Sequence, residues 1–209
     1  MPPAIGPQYS LHSGRLQMEL LAAVRERLGD RAVITGRAVA GFAEHAGGVD
    51  VRLVAGRGGA SAGSVRTSAL VAADGIHSTV RALLHPDEGP PRLAGRMLWR
   101  AVTRARPFLG GRPMIMAGHR SQKFVCYPIG HQAADGLQEI NWIAELTVPG
   151  EAPPPRDGSR RVPATRFREP FAGWRFGWLE PPDLIDGAEV IYEYRGPTAT
   201  RSTAGAAVR

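Results

Sequence analysis

Ala69-Leu70-Val71-Ala72-Ala73-Asp74-Gly75-Ile76-His77-Ser78-Thr79-Val80-Arg81 is the stretch on which the fold turns. Its first five residues form a compact apolar run with the composition of a strand buried on both faces. The run stops at Asp74-Gly75, Ile76-His77-Ser78 turns the chain, and Thr79–Leu84 reads as a turn or two of helix. A carboxylate at the carboxyl end of a central strand sits where open α/β sheets take their ligands. Asp74 can accept hydrogen bonds from ribose hydroxyls, and Gly75 lets the backbone approach a ligand closely. Arg81, about two helical turns on, can pair with Asp74 or with a phosphate. A turn that merely caps a strand would look the same, and the residues alone leave both readings open.

Working outward toward the N-terminus, Leu16, Leu20, Val24 and Leu28 recur every fourth residue with Leu21 beside them. This spacing predicts a helix over about Arg15–Leu28, capped by Ser13 and stopped by Gly29-Asp30. Ala32–Thr35 reads as a short strand. Ala38–His45 and Val49–Ala55 flank Ala46-Gly47-Gly48 as a hairpin, and Ser64–Thr67 follows a Gly-rich loop as another strand. Toward the C-terminus, Pro86–Pro91 is a connector. Met97–Thr103, Pro113–Ala117, Phe124–Ile129 and Glu139–Leu146 read as strands of a second sheet. Gly150–Pro163 reads as a linker, Phe171–Trp178 and Pro181–Ile185 as short helices, and Val190–Tyr194 as a last strand. Arg195–Arg209 has no apolar periodicity and is expected to be an irregular tail that packs poorly.

Composition narrows the function classes. The net charge of +7 does not describe a nucleic-acid surface: Lys123 is the only lysine, and the arginines are spread along the chain. The densest group, Arg156, Arg160, Arg161, Arg166 and Arg168, has Phe167 as its one aromatic neighbour and no stacking platform. No stretch approaches the roughly 20 apolar residues of a membrane span, and Met1–Pro7 lacks the pattern of a signal peptide. The single cysteine, Cys126, lies in the strand-like run Phe124–Tyr127 as a buried structural thiol and fits a cytoplasmic location. The six histidines show no metal-ligand spacing, so no metal site is expected. Gly59-Ala60-Ser61-Ala62-Gly63 matches a nucleophile elbow in letters. The buried strand before it and the helix after it are missing, and a hairpin loop is the better reading.

Ala72–Arg81 resembles the Asp-Gly motif of the FAD-dependent aromatic-ring monooxygenases that include para-hydroxybenzoate hydroxylase. The likeness extends to Gln8–His12 with Leu16-Gln17-Met18 and Leu20–Gly29. It continues through Leu98-Trp99-Arg100, Tyr127-Pro128-Ile129, Asn141-Trp142, Phe171–Trp174 and Tyr192-Glu193-Tyr194. Within the family, the phenazine-modifying flavin hydroxylases look nearest. The resemblance implies an α+β fold: a partial FAD-binding lobe of βαβ flavoprotein type at residues 1–92, and a β-sheet substrate lobe with helices on one face at 93–194. It implies that NAD(P)H reduces FAD and that a flavin hydroperoxide hydroxylates a small aromatic or heteroaromatic substrate. It assigns Asp74, Gly75, Arg81, Val39 and Ser13 to the cofactors, with Val39 touching the adenine, and Tyr127 and Trp99 to the sheet above the substrate. No catalytic side chain is assigned, because the flavin does the chemistry.

The chain also departs from the family pattern. It contains no G-x-G-x-x-G and no second Gly-Asp flavin motif, and Ser13 stands where the family usually has arginine. The expectation is therefore a piece truncated at both ends, holding FAD weakly. The alternative is a non-catalytic fragment acting at most as a small-molecule-binding module. With GC-rich codons for Pro197–Gly205, a one-base shift spells Asp-Arg-Asp-Pro-Leu-Asp-Arg-Trp. The family pattern has a similar run here, so residues 195–209 read as a frameshifted tail.

Overall fold

A computed structural model describes residues 9–56, 58–89, 92–148 and 160–198. The chain divides into two compact units, Leu21–Arg92 with Pro197–Arg209, and Met1–Leu20 with Leu93–Gly196. The fold is α+β, with antiparallel pairing in both sheets.

Helix α1 spans Ser13–Leu28. Its cap is His12, not Ser13: the His12 ring Nδ1 accepts from the Gly14 N–H at 3.1 Å, and the His12 carbonyl accepts from Leu16. Ser13 is the first helical residue and is exposed. Arg25 and Arg27 in the last turn oppose the negative end of the helix dipole. None of its residues is fully buried, and Leu16, Leu20 and Leu28 of the expected apolar stripe are exposed. Residues 30–32 form a short 3₁₀ turn where a strand over 32–35 was expected.

The first unit is built on β1 (Arg37–His45), β2 (Gly48–Ala55) and β3 (Ser61–Thr67), in that order. The β1–β2 hairpin closes through Ala46-Gly47, with His45 opposite Gly48. Gly48 has φ +140, and a Cβ there would lie 2.2 Å from the Thr67 carbonyl oxygen, so glycine is what lets β3 approach. Val49 and Val51 alternate inward while Asp50 faces out, where its carboxylate takes a two-pronged bond from Arg66 directly across the ladder. Helix α2 (Thr79–Leu84) buries Val80.

Ala69–Ala73 is not a strand. No strand among the described residues pairs with it, and Val71 is 86% exposed. A run of this composition becomes a central strand only with a backbone ladder on each side, and the described sheets give it none. Nor do the described residues contain a βαβ unit.

The second unit holds a six-stranded sheet of order β5-β6-β7-β4-β9-β8. The strands are β4 (Arg92–Ala105), β5 (Ile115–Gly118), β6 (Gln122–Pro128), β7 (Gln138–Thr147), β8 (Arg160–Arg161) and β9 (Tyr192–Thr198). Along each central strand every second side chain enters one core: Met97, Trp99 and Ala101; Phe124 and Cys126; Ile140, Trp142 and Ala144. Phe167, Phe171, Leu184 and Ile185 cover that face from short 3₁₀ turns and from α3 (Pro181–Asp186). Burying each of the large side chains contributes about 1.5–3 kcal/mol. The buried Thr103 hydroxyl donates to the Leu184 carbonyl at 2.6 Å and accepts the Trp142 indole N–H at 2.9 Å, tying α3 to the sheet.

Of the expected helix over Phe171–Trp178, only a turn at Glu169–Phe171 forms. Residues 150–159 of the expected linker lie outside the described residues, as do 199–209 of the expected tail. Arg195–Thr198 correct the tail reading, because they continue β9.

Candidate functional site

In the first unit, Asp74 and Ser78 organise the start of α2. The Ser78 hydroxyl accepts from the Arg81 N–H at 2.9 Å, and Asp74 Oδ2 accepts from the Thr79 N–H at 2.8 Å. Partial burial works against the Asp74 charge. Hydrogen bonds from the Ser78 side chain and from the backbone N–H groups of Asp74, Thr79 and Val80 outweigh it, so its carboxyl lies below the ordinary carboxylate range. Gly75 has φ +79 and open space where a Cβ would be, so it turns the chain with nothing crowding it. Arg81 pairs with Glu88 through two nitrogens, Nε to Oε2 at 2.6 Å and Nη2 to Oε1, and not with Asp74. The Glu88 carboxylate raises the arginine's pKa and is itself lowered by it.

Asp74 lines a cavity of about 600 Å³ with Val39, Val54, Arg37, His77 and Thr79. Here β1 carries an irregularity: the register slips between Val39 and Gly41, leaving Ala40 without an opposite residue and bending the strand at the cavity wall. The structure therefore brings Val39 and Asp74 together. Gly75, Arg81 and Ser13 are not on this wall. Arg37, His77 and Thr79 are: His77 and Thr79 belong to the Asp-Gly stretch Ala72–Arg81, and nothing in the sequence marks Arg37.

In the second unit, the ladders place Tyr127 and Trp99 on opposite faces of the sheet. Trp99 pairs across β7 with Ala144, which pairs with Phe124, and all three face the core. Trp99 is 4% exposed, stacks on Phe167 at 4.5 Å, and donates its indole N–H to Glu193 at 2.9 Å. Its place is in the core. Tyr127 lies opposite Asn141, which lies opposite Val102, on the other face. Arg100 shares that face and sits over the Tyr194 ring, 5.1 Å from its centroid. Burial raises the Tyr194 phenol pKa, Arg100 partly offsets this, and Tyr127 and Glu145 add to it. Arg100, Asn141 and Tyr194 gather on the face that carries Tyr127. The two-residue alternation within Leu98-Trp99-Arg100 was the signal.

No metal-holding cluster occurs among the described residues, and no described helix is long and apolar enough to cross a membrane. No family model matches the chain. It is 41% identical over 196 residues to a phenazine 1,6-dicarboxylic acid hydroxylase, PhzS, of Lysobacter antibioticus, which covers 90% of this chain and 47% of that protein. Over most of its length the chain is thus similar to part of an aromatic-ring hydroxylase. It spans about half the length of this relative. Its fold is that of part of 2,6-dihydroxypyridine-3-hydroxylase from Arthrobacter nicotinovorans, with a TM-score of 0.60 at 18% identity, over 86% of this chain and 49% of that one. A structure described as an FAD-containing monooxygenase from Photorhabdus luminescens subsp. laumondii superposes with a TM-score of 0.51 at 13% identity, over 81% and 48% of the two chains.

Proposed function

We propose that this chain carries the adenosine-contacting turn and the substrate-facing sheet of an FAD-dependent monooxygenase that hydroxylates a small aromatic or heteroaromatic ring, with NAD(P)H as reductant. The observation that carries this reading is the shared cavity of Val39 and Asp74, residues far apart in sequence that the family resemblance assigns to one cofactor. The cavity fits the adenosine end: apolar side chains form part of the wall, and an ionised carboxylate suits ribose hydroxyls. Among the described residues Arg37 is the one arginine or lysine on that wall, which favours weak retention of the diphosphate. When bound, the flavin supplies the redox and oxygen-transfer chemistry.

The residues of this chain would position the ring. Tyr127, Asn141, Arg100 and Tyr194 share one sheet face, where an aromatic ring can lie flat against the tyrosines and the guanidinium plane. The Tyr194 phenol can donate to a ring substituent, and burial favours its neutral form further.

The test is titration of the full chain with FAD, followed by quenching of flavin fluorescence. Saturable binding is expected, weakened about tenfold by Asp74→Asn through loss of charge-assisted bonds. Superimposable curves for the two proteins would refute the assignment of Asp74.

A further inference from the structure

We propose that the second unit holds a separate binding site for an anion carried on a flat ring, in the cleft beside the N-terminus of α1. This inference goes beyond the flavin reading and does not depend on it. The cleft, of about 1590 Å³, is larger than the roughly 300–1,000 Å³ of ordinary ligand pockets, so it is open and accessible. Among the described residues its wall carries Arg15, Arg106 and Arg112, against a single carboxylate, Asp135. That carboxylate is already engaged, by Arg104 at 2.6 Å and by the Leu137 N–H at 3.0 Å. Arg15 is held by Glu139 at 2.8 Å. Arg106 and Arg112 have no carboxylate partner among the described residues. Two guanidinium forks without a carboxylate partner on one concave wall suit an anion such as a carboxylate or phosphate.

The loops that present these groups are fixed. Gln138, 6% exposed, donates from Nε2 to the Gly111 carbonyl at 3.1 Å and to the Gly130 carbonyl at 2.7 Å, clamping the Arg112 loop to the loop after β6. Its own Oε1 stays buried without a hydrogen-bond partner. Leu109, in the first of these loops, has φ +45 and is the only non-glycine residue in the left-handed region among the described residues. A side chain holds that backbone only where its surroundings impose it. Tyr9, 79% exposed, offers an aromatic face on the same wall. Cations on a clamped frame beside an aromatic ring suit a planar anion better than a bare inorganic one.

The experiment is isothermal titration of the full chain with three ligands of one shape: 1-naphthoate, 1-naphthyl phosphate and neutral 1-naphthalenemethanol. At least one anion is expected to bind, with the neutral alcohol at least about tenfold weaker. The tighter of the two anions identifies the group, carboxylate or phosphate. The double variant Arg106→Gln, Arg112→Gln should lose the anion by at least about tenfold while its circular dichroism is unchanged, because both side chains are exposed. Raising salt from about 20 mM to about 500 mM should weaken the same binding in the unaltered chain. The proposal is overturned if neither anion binds, if the alcohol binds as well as the anions, or if the double variant or the salt leaves binding unchanged.

Discussion

Trp99 and Arg100 are adjacent in sequence and lie on opposite faces of β4, so substituting each should damage a different property. Trp99→Phe removes the indole N–H that Glu193, 1% exposed, accepts at 2.9 Å. Glu193 keeps Arg166 at 2.6 Å and Arg160 at 3.0 Å, so its charge stays paired. A hydrogen bond to a charged group contributes about 1.5–3 kcal/mol. The smaller ring also thins the stack on Phe167, which has the two rings 5° from parallel. A total of about 2–3 kcal/mol is expected. With an m-value of about 1–3 kcal/mol per molar urea, the unfolding midpoint should fall by about 0.7–3 M. Arg100→Ala loses only the partly exposed contact with Tyr194, about 0.5–1 kcal/mol. Its effect should appear in substrate binding instead. Urea unfolding followed by tryptophan fluorescence and circular dichroism measures the first property, and ring-ligand titration the second. A Trp99→Phe protein with an unshifted midpoint and weakened ligand binding would refute the assignment of faces.

Val71→Lys should change stability by no more than about 0.5 kcal/mol, since the side chain is already in solvent; a loss of several kcal/mol would show the run to be a buried strand after all. Asp74→Ala should cost about 1 kcal/mol at pH 7 through the helix start it satisfies. Because the folded Asp74 pKa is lowered, its contribution is complete above the unfolded pKa of about 3.9 and is lost as pH falls through the folded value. The difference in urea midpoint between the two proteins should therefore close below about pH 4, and a gap that persists in acid would contradict this account. Burial pushes the Cys126 thiol up to about 12, so a disulfide reagent at pH 8 should label the unfolded chain but not the folded one; rapid labelling of the native protein would place this thiol at the surface.

The legible parts of the fold were those fixed by local chemistry. The β1–β2 hairpin announces itself through alternating valines on either side of Ala46-Gly47, and the central strands of the larger sheet through the same alternation. The cap of α1 was misread because serine is the commoner cap, whereas here the His12 ring reaches the Gly14 N–H first. The expected pairing of Arg81 with Asp74 does not form, for a related reason. An arginine near an aspartate suggests a pair, but Asp74 is turned inward to the start of α2, and the short turn after the helix brings Glu88 within reach. For the candidate site, the resemblance supplied Val39 and Asp74. His77 lies in the same Asp-Gly motif as Asp74, whereas Arg37 could not be found, because its place on the cavity wall depends on how the chain outside its own segment folds.

Ala69–Ala73 and Arg195–Thr198 were misread in opposite directions, for one physical reason. Side-chain pattern reports which face a segment can bury, while a strand exists only where its backbone N–H and C=O groups find a ladder. Ala69–Ala73 has the side chains of a core strand and no ladder among the described residues, so it lies exposed. Arg195–Thr198 shows no apolar periodicity, yet it continues β9, the strand between β4 and β8. Glu193, just upstream, shows how such a strand is anchored without apolar side chains: its buried carboxylate joins Trp99 on β4, Arg160 on β8 and Arg166 on the 3₁₀ turn that follows. That anchoring bears on function. Glu193 and Tyr194 are neighbours on one strand, so the charges that fix Glu193 on the core side also hold Tyr194 under Arg100 on the open side, where the proposed ring would lie.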